Sequence, residues 1–178
     1  MASDIRKVGV VGVGLMGSGI AQVAAAKNFD TVVVDVSAEI IAKGMERIRA
    51  SIRRLVESYQ KTSGKSGIAP DEENGIIARI KPSTERSHLL DCDIVIEAVV
   101  ENLDVKRALF QRLAPKLAPH ALLATNTSGL SIRAMSEVLP PDLARRFLVM
   151  HFFNPVRYMR LLELAGGPAT DPAVLEAA

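Results

Sequence analysis

Several residue groups in this 178-residue chain have the types and spacing to do chemistry. Gly12-Val13-Gly14-Leu15-Met16-Gly17 is a GxGxxG turn between a β-branched run, Lys7 to Val11, and an Ala-rich segment, Leu15 to Lys27. In that setting the glycines permit a sharp turn and close approach of backbone to a pyrophosphate, and the helix N-terminus offers N–H donors to the phosphates. Asp35 follows Gly12 by 23 residues, at the end of a second β-branched run, Thr31 to Val36. A carboxylate there accepts hydrogen bonds from an adenosine ribose and repels a 2′-phosphate, which favours NAD over NADP.

Glu97 and Glu101 close an apolar run, and Lys106 lies in the helix that follows. Ligands of open α/β sheets bind beyond the carboxyl ends of the strands, so these positions face a cofactor crevice. Spacing alone makes Glu101 a solvated carboxylate and Lys106 an ordinary surface lysine. Asn126-Thr127-Ser128 follows another strand and is by itself a turn signal. His151, after the strand Phe147 to Met150, and Glu163, in the run Arg160 to Leu164, form a candidate general-base pair. The carboxylate would fix the tautomer and stabilise the imidazolium.

The elements that must position these residues are legible in the hydrophobic periodicity. Ile41, Met45, Ile48, Ile52, Leu55 and Tyr59 recur at steps of 4, 3, 4, 3 and 4, which is one apolar helix face. Gly64, Gly67 and Pro70 break it, and a second helix is expected from Asp71 to about Ala78, making a helical hairpin. Ile94 to Val100 is an apolar run of the kind buried on both sheet faces, followed by a helix over Leu103 to Leu117. Ala121 to Thr125 and Phe147 to Met150 add two strands. Strands alternating with helices imply a parallel sheet covered on both faces.

Composition bounds the rest. A net charge of +2 carries no polyanion-binding character, so nucleic acid is not an expected partner. One cysteine, Cys92, forms no internal disulfide and no metal cluster, and suits a reducing compartment. The longest apolar stretches, about seven residues, fall far short of a membrane helix, and the polar start from Met1 to Lys7 lacks a secretory core. A cytoplasmic protein with no metal is expected. His88, His120 and Cys92 read as structural residues at the surface or a strand edge.

Four blocks together resemble the 3-hydroxyacyl-CoA dehydrogenase family: VGVVGVGLMGSGIAQVAA from Val8, DIVIEAVVENLDVKRALF from Asp93, ATNTSGLSI from Ala124 and MHFFNPVRYMRLLEL from Met150. The resemblance implies a Rossmann-type doubly wound, mainly parallel α/β sheet with a helical-hairpin insertion after the second strand. It implies an NAD-binding domain over residues 1–170, and at 171–178 the start of a helix leading to an absent C-terminal helical domain that forms much of a homo-oligomer interface. The activity implied is NAD-dependent oxidation of L-3-hydroxyacyl-CoA to 3-ketoacyl-CoA in fatty-acid β-oxidation, with weak or no turnover by this domain alone.

Carried over by position, His151 resembles the base, Glu163 its orienting partner and Ser128 the serine that hydrogen-bonds the reacting oxygen. Gly12, Gly14, Leu15, Met16, Gly17, Asp35, Glu101, Lys106, Asn126 and Asn154 match cofactor-binding positions. Gly129, where Ser is frequent, and Asn28-Phe29-Asp30, where the family turn carries Gly, depart from the pattern without touching a catalytic position. On the long helix Arg47, Ser51, Arg54, Ser58 and Lys61 form a partly basic stripe. Ser51 aligns with a coenzyme A-contacting serine; Ser58 stands where a lysine is common, and Arg54 or Lys61 is the substitute phosphate partner. Two alternatives remain at this level: a 3-hydroxyacid dehydrogenase of the 6-phosphogluconate dehydrogenase type, and a non-catalytic nucleotide-binding or structural module.

Overall fold

The computed structural model describes residues 5–178; most of the polar N-terminal start read from the sequence lies outside them. The strands are β1 (Lys7–Val11), β2 (Asp30–Val34), β3 (Ile80–Ser83), β4 (Ile94–Glu97), β5 (Leu122–Thr125), β6 (Phe147–Phe152) and β7 (Leu162–Gly166). They form one sheet in the order β3-β2-β1-β4-β5-β6-β7. The first six are parallel and β7 runs antiparallel to β6. Order 3-2-1-4-5-6 is the doubly wound Rossmann arrangement, with its switch point between β1 and β4.

The helices are α1 (Leu15–Ala26), α2 (Ala38–Lys61), α3 (Glu72–Ala78), α4 (Leu103–Leu113), α5 (Ile132–Ser136), α6 (Pro141–Ala144) and α7 (Pro172–Ala177). Helices α1, α2 and α3 cover one sheet face with Ile20, Ile48, Ile52 and Ile76, and α4, α5 and α6 cover the other with Phe110, Leu113, Met135 and Leu143. Burial on both faces is why β1, β2 and β4 read as unbroken apolar runs.

The long amphipathic helix is present as α2, capped by Ser37, whose side chain accepts from Ile40 N–H. Its buried stripe ends on Val56, with Leu55 and Tyr59 only half-buried. Helices α2 and α3 together form the crossover from β2 to β3, and the intervening loop folds back so that Ile68 N–H donates to the Leu55 carbonyl. The apolar run from Ile94 is strand only as far as Glu97, and Leu103 to Leu117 divides into α4 and a 3₁₀ turn at Pro115. Strand β6 extends past Met150, so His151 lies within the strand. Cys92 is a correction: it is fully buried among Leu89, Val95 and Phe110, not at a surface, and burial pushes its thiol up to about 12. Asp171 caps α7 through Ala173 N–H, with Pro172 in the first turn.

Candidate functional site

Because β1, β2, β4, β5 and β6 are parallel, their C-terminal residues share one sheet edge. The glycine turn opens that edge. Gly12 has φ +94°, and a Cβ there would lie 2.6 Å from the Ala98 carbonyl oxygen. A Cβ on Gly17 would lie 1.7 Å from the Gly12 oxygen, so α1 can pack on the turn only without a side chain. Gly14 differs: a Cβ there meets nothing within 4 Å. No protein contact demands glycine at that position, and the open ground before it is what close approach of a dinucleotide backbone requires. Gly14 is also the N-cap of α1, without a side-chain cap and with no acidic residue in the first turn, which leaves N–H groups for a phosphate. Leu15 is 63% exposed at this end, whereas Met16 packs against the core.

Asp35 accepts from Val13 N–H and Val36 N–H, both at 2.7 Å, which aims its carboxylate at the glycine turn. Two acceptor sites remain for a diol. Gly12, Gly14 and Asp35 line a cavity of about 560 Å³ whose other walls include Val36, Ile40 and Val100. Val36 and Val100 are 74% and 65% exposed, an apolar pair suited to the faces of a planar base. The residues present fit NAD.

Beyond β4 the structure revises the sequence reading. Lys106 is 1% exposed, not a surface lysine, and its Nζ lies 2.6 Å from Glu97 Oε1 and 3.2 Å from Glu101 Oε2. Glu101 accepts from Thr127 Oγ1 at 2.5 Å and from Ser128 N–H at 3.1 Å. Burial works against its charge, but the Thr127 hydroxyl, the Ser128 amide and the Lys106 ammonium together hold its carboxyl below the ordinary glutamate range. Ser128 itself is exposed on the turn that Glu101 holds.

His151 and Glu163 are register partners across β6 and β7, with His151 Nδ1 2.9 Å from Glu163 Oε2. Phe153 packs on the imidazole at a centroid distance of 4.5 Å. Asn126 Oδ1 accepts from Phe152 N–H at 2.9 Å and ties the β5 turn to the histidine strand.

Ser51 and Arg54 meet the loop after β6 across a second cavity of about 220 Å³, also lined by Arg47, Asn154 and Arg157. Ser51 Oγ and Arg157 Nε are buried there without a protein partner. Lys61 does not line this cavity; it follows Arg54 by seven residues, or about 10 Å along the axis. Sequence reasoning left out the burial of Glu97 and Lys106, the hydroxyl of Thr125, the bond from Thr127 to Glu101, and Arg157. A carboxylate ending a buried strand was the available signal for the first of these.

A family model described as 3-hydroxyacyl-CoA dehydrogenase, NAD binding domain, matches residues 7–178. The chain belongs to that family. A 3-hydroxybutyryl-CoA dehydrogenase of Bradyrhizobium diazoefficiens is 41% identical over 99% of the chain and 57% of its own length. The mitochondrial hydroxyacyl-coenzyme A dehydrogenase of Homo sapiens is 38% identical over 97% of the chain and 54% of its own length. The crystal structure of (S)-3-hydroxybutyryl-CoA dehydrogenase from Ralstonia eutropha superposes with a TM-score of 0.89 at 37% identity, over 98% of this chain and 58% of that one. The chain thus spans little more than half the length of these relatives. As an NAD-binding domain it uses NAD, and among the described residues no helix is long and apolar enough to cross a membrane.

Proposed function

We propose that this chain is the cofactor-binding half of an enzyme that oxidises L-3-hydroxyacyl-CoA to 3-ketoacyl-CoA in fatty-acid β-oxidation. The observation that carries the reading is the 2.9 Å His151–Glu163 pair at the same sheet edge as the glycine turn. NAD, when bound, supplies the hydride acceptor. With Nδ1 facing Glu163, His151 carries its proton there and leaves Nε2 to remove the proton of the substrate 3-hydroxyl as hydride departs from C3. Glu163 stabilises the imidazolium that results, and the Ser128 hydroxyl hydrogen-bonds the reacting oxygen. Glu101, Lys106, Asn126 and Asn154 shape the nicotinamide end of the crevice; Gly12, Gly14, Leu15, Met16, Gly17 and Asp35 hold the adenosine diphosphate end.

Ser51 and Arg54, with the unpartnered Ser51 hydroxyl between helix and loop, receive the coenzyme A moiety, and Lys61 lies too far along α2 to share that cavity. Residues 1–170 act as the Rossmann unit and 171–178 begin the link to a helical domain that completes the substrate walls and mediates homo-oligomerisation. The longer relatives and the exposed Tyr158, Met159, Leu161 and Leu164 support this division. A cytoplasmic setting accords with the free thiol of Cys92. Hydride transfer needs near-attack geometry and water exclusion, so the chain alone turns over weakly.

Calorimetric titration with NADH, NADPH and acetoacetyl-CoA tests the reading. NADH binds, NADPH binds at least tenfold more weakly, and Arg54→Ala weakens acetoacetyl-CoA while Lys61→Ala does not. Equal affinity for both nucleotides, or acetoacetyl-CoA binding indifferent to Arg54, removes the corresponding assignment.

A further inference from the structure

Glu97 has no part in the chemistry above, yet its side chain is fully buried and both of its carboxylate oxygens are hydrogen-bonded. Oε1 accepts from Val99 N–H at 2.7 Å and from Lys106 Nζ at 2.6 Å, and Oε2 accepts from Thr125 Oγ1 at 2.6 Å. The donors come from three separate elements: the turn after β4, helix α4, and the last residue of β5. Lys106 spans the gap between this anchor and the solvent-facing Glu101, whose side chain is 44% exposed. Glu101 in turn spends its other oxygen on Thr127 and the Ser128 amide, and Thr127 Oγ1 accepts from Leu130 N–H. The contacts therefore run in one order, from rigid sheet to exposed turn: Glu97, Lys106, Glu101, Ser128.

Stability alone is a poor account of this arrangement. Burying an ion pair costs desolvation that its attraction barely returns, and apolar replacements of similar volume are frequently neutral or better. Two carboxylates also share one ammonium, so the cluster keeps a net negative charge at the edge of the core. What the arrangement supplies is geometry. An exposed Glu101 on a turn has many rotamers; an ammonium locked at 2.6 Å on a fully buried carboxylate gives it one fixed point to bind.

We infer that Glu97 is a positioning residue: through Lys106 and Glu101 it fixes the Thr127–Ser128 turn, and with it the height at which the Ser128 hydroxyl meets the reacting oxygen. The inference rests on the role proposed above for Ser128. Glu97→Gln keeps the shape and removes the charge. In this chain the variant shifts the Ser128 and Leu130 amide resonances and speeds Ser128 amide exchange at least tenfold, while affinity for ADP-ribose, which lacks the nicotinamide, stays within threefold, because Glu97 does not line the cavity of the glycine turn and Asp35. In the full-length protein kcat falls about tenfold and KM for the acyl substrate holds, the signature of misplaced geometry.

Thr125→Val, which strips one donor from Glu97, gives the same amide changes in milder form, and Thr125→Ser restores them; this pair serves if Glu97→Gln fails to fold. Ser128 and Leu130 amides that stay at wild-type positions while the adjacent Val99 amide moves overturn the inference, as does an unchanged kcat in a variant whose Ser128 amide has moved. His151→Gln is the separate control: if it leaves turnover intact, the functional reading fails, and the amide measurements still decide whether the tether exists.

Discussion

Replacing Gly14 and Gly17 with alanine separates what the glycine turn does for the fold from what it does for the cofactor. At Gly17 the new methyl carbon would sit 1.7 Å from the Gly12 carbonyl oxygen, a backbone atom that cannot swing aside. Relief requires α1 to move off the sheet, and we expect a loss of about 3 kcal/mol or more, which lowers Tm by roughly 6 to 12 °C at this chain length. At Gly14 the methyl enters empty space with φ −67°, a value alanine adopts freely. Restricting the unfolded chain stabilises by about 0.4–1 kcal/mol; alanine is worse than glycine as an N-cap by about 0.5–1 kcal/mol. These offset, so Tm moves by less than about 2 °C. The same methyl blocks a pyrophosphate from the α1 N-terminus, and losing one charge-assisted hydrogen bond, about 1.5–3 kcal/mol, weakens NADH about 10- to 150-fold. Thermal melts of both variants without ligand, followed by calorimetric titration of Gly14→Ala with NADH, provide the readout. A Gly14→Ala chain that binds NADH as wild type does would refute the placement of the phosphates.

In a full-length protein His151→Gln lowers kcat by a factor of about 10² or more, Glu163→Gln lowers it about tenfold, and neither changes NADH affinity by more than threefold; steady-state kinetics beside calorimetry distinguish this from a folding defect. Lys106→Met strands the buried Glu97 carboxylate and costs about 3–5 kcal/mol, read from the urea midpoint, and adding Glu97→Gln recovers most of it. Acid weakens the fold with a defined sign. The Lys7 ammonium lowers the Asp91 pKa; the Arg6 and Lys7 amides lower that of Asp93 against burial, as Thr127, Ser128 and Lys106 do for Glu101. A carboxylate depressed in the folded state contributes stability that is complete above its unfolded value and lost as pH falls through the folded one. Urea midpoints should therefore hold from pH 7 to about 5 and fall progressively below the ordinary values of 3.8 and 4.5; a midpoint that rises on acidification contradicts this.

Which parts of the structure were legible in the sequence follows from where each element is buried. Strands β1, β2, β4 and β5 lie in the interior of the sheet, and residues covered on both faces must be apolar in unbroken runs, so the pattern announces them. The edge strands carry no such pattern. β3 is Ile-Lys-Pro-Ser, with a proline that only an edge tolerates, and most of β7 is exposed. The same logic applies to the site. The glycine turn and Asp35 are local, and spacing along the chain suffices to place them. Lys106 is not: its burial depends on Glu97 from a different element, and composition within α4 gives no hint of it. A lysine looks solvated until its counter-ion is located in three dimensions.

The antiparallel β7 is what makes a histidine–carboxylate pair available at an edge otherwise built from parallel strand ends. Asp35, Asn126, Ser128 and His151 stand at or just beyond the carboxyl ends of parallel strands, whereas Glu163 arrives from a strand running the opposite way, opposite His151 by register. A slip of one residue would turn Glu163 to the other face of the sheet and bring a leucine opposite the imidazole. The register is held from the far end of the hairpin. The Thr170 hydroxyl accepts from Gly167 N–H and donates to the Phe147 carbonyl, and Asp171 N–H donates to the Arg145 carbonyl. These bonds pin the chain just beyond β7 to the start of β6, several residues from the pair they align. The bonds of Thr170 thus reinforce the β6–β7 register that sets Glu163 opposite His151, and Thr170 would serve by position the role proposed for His151.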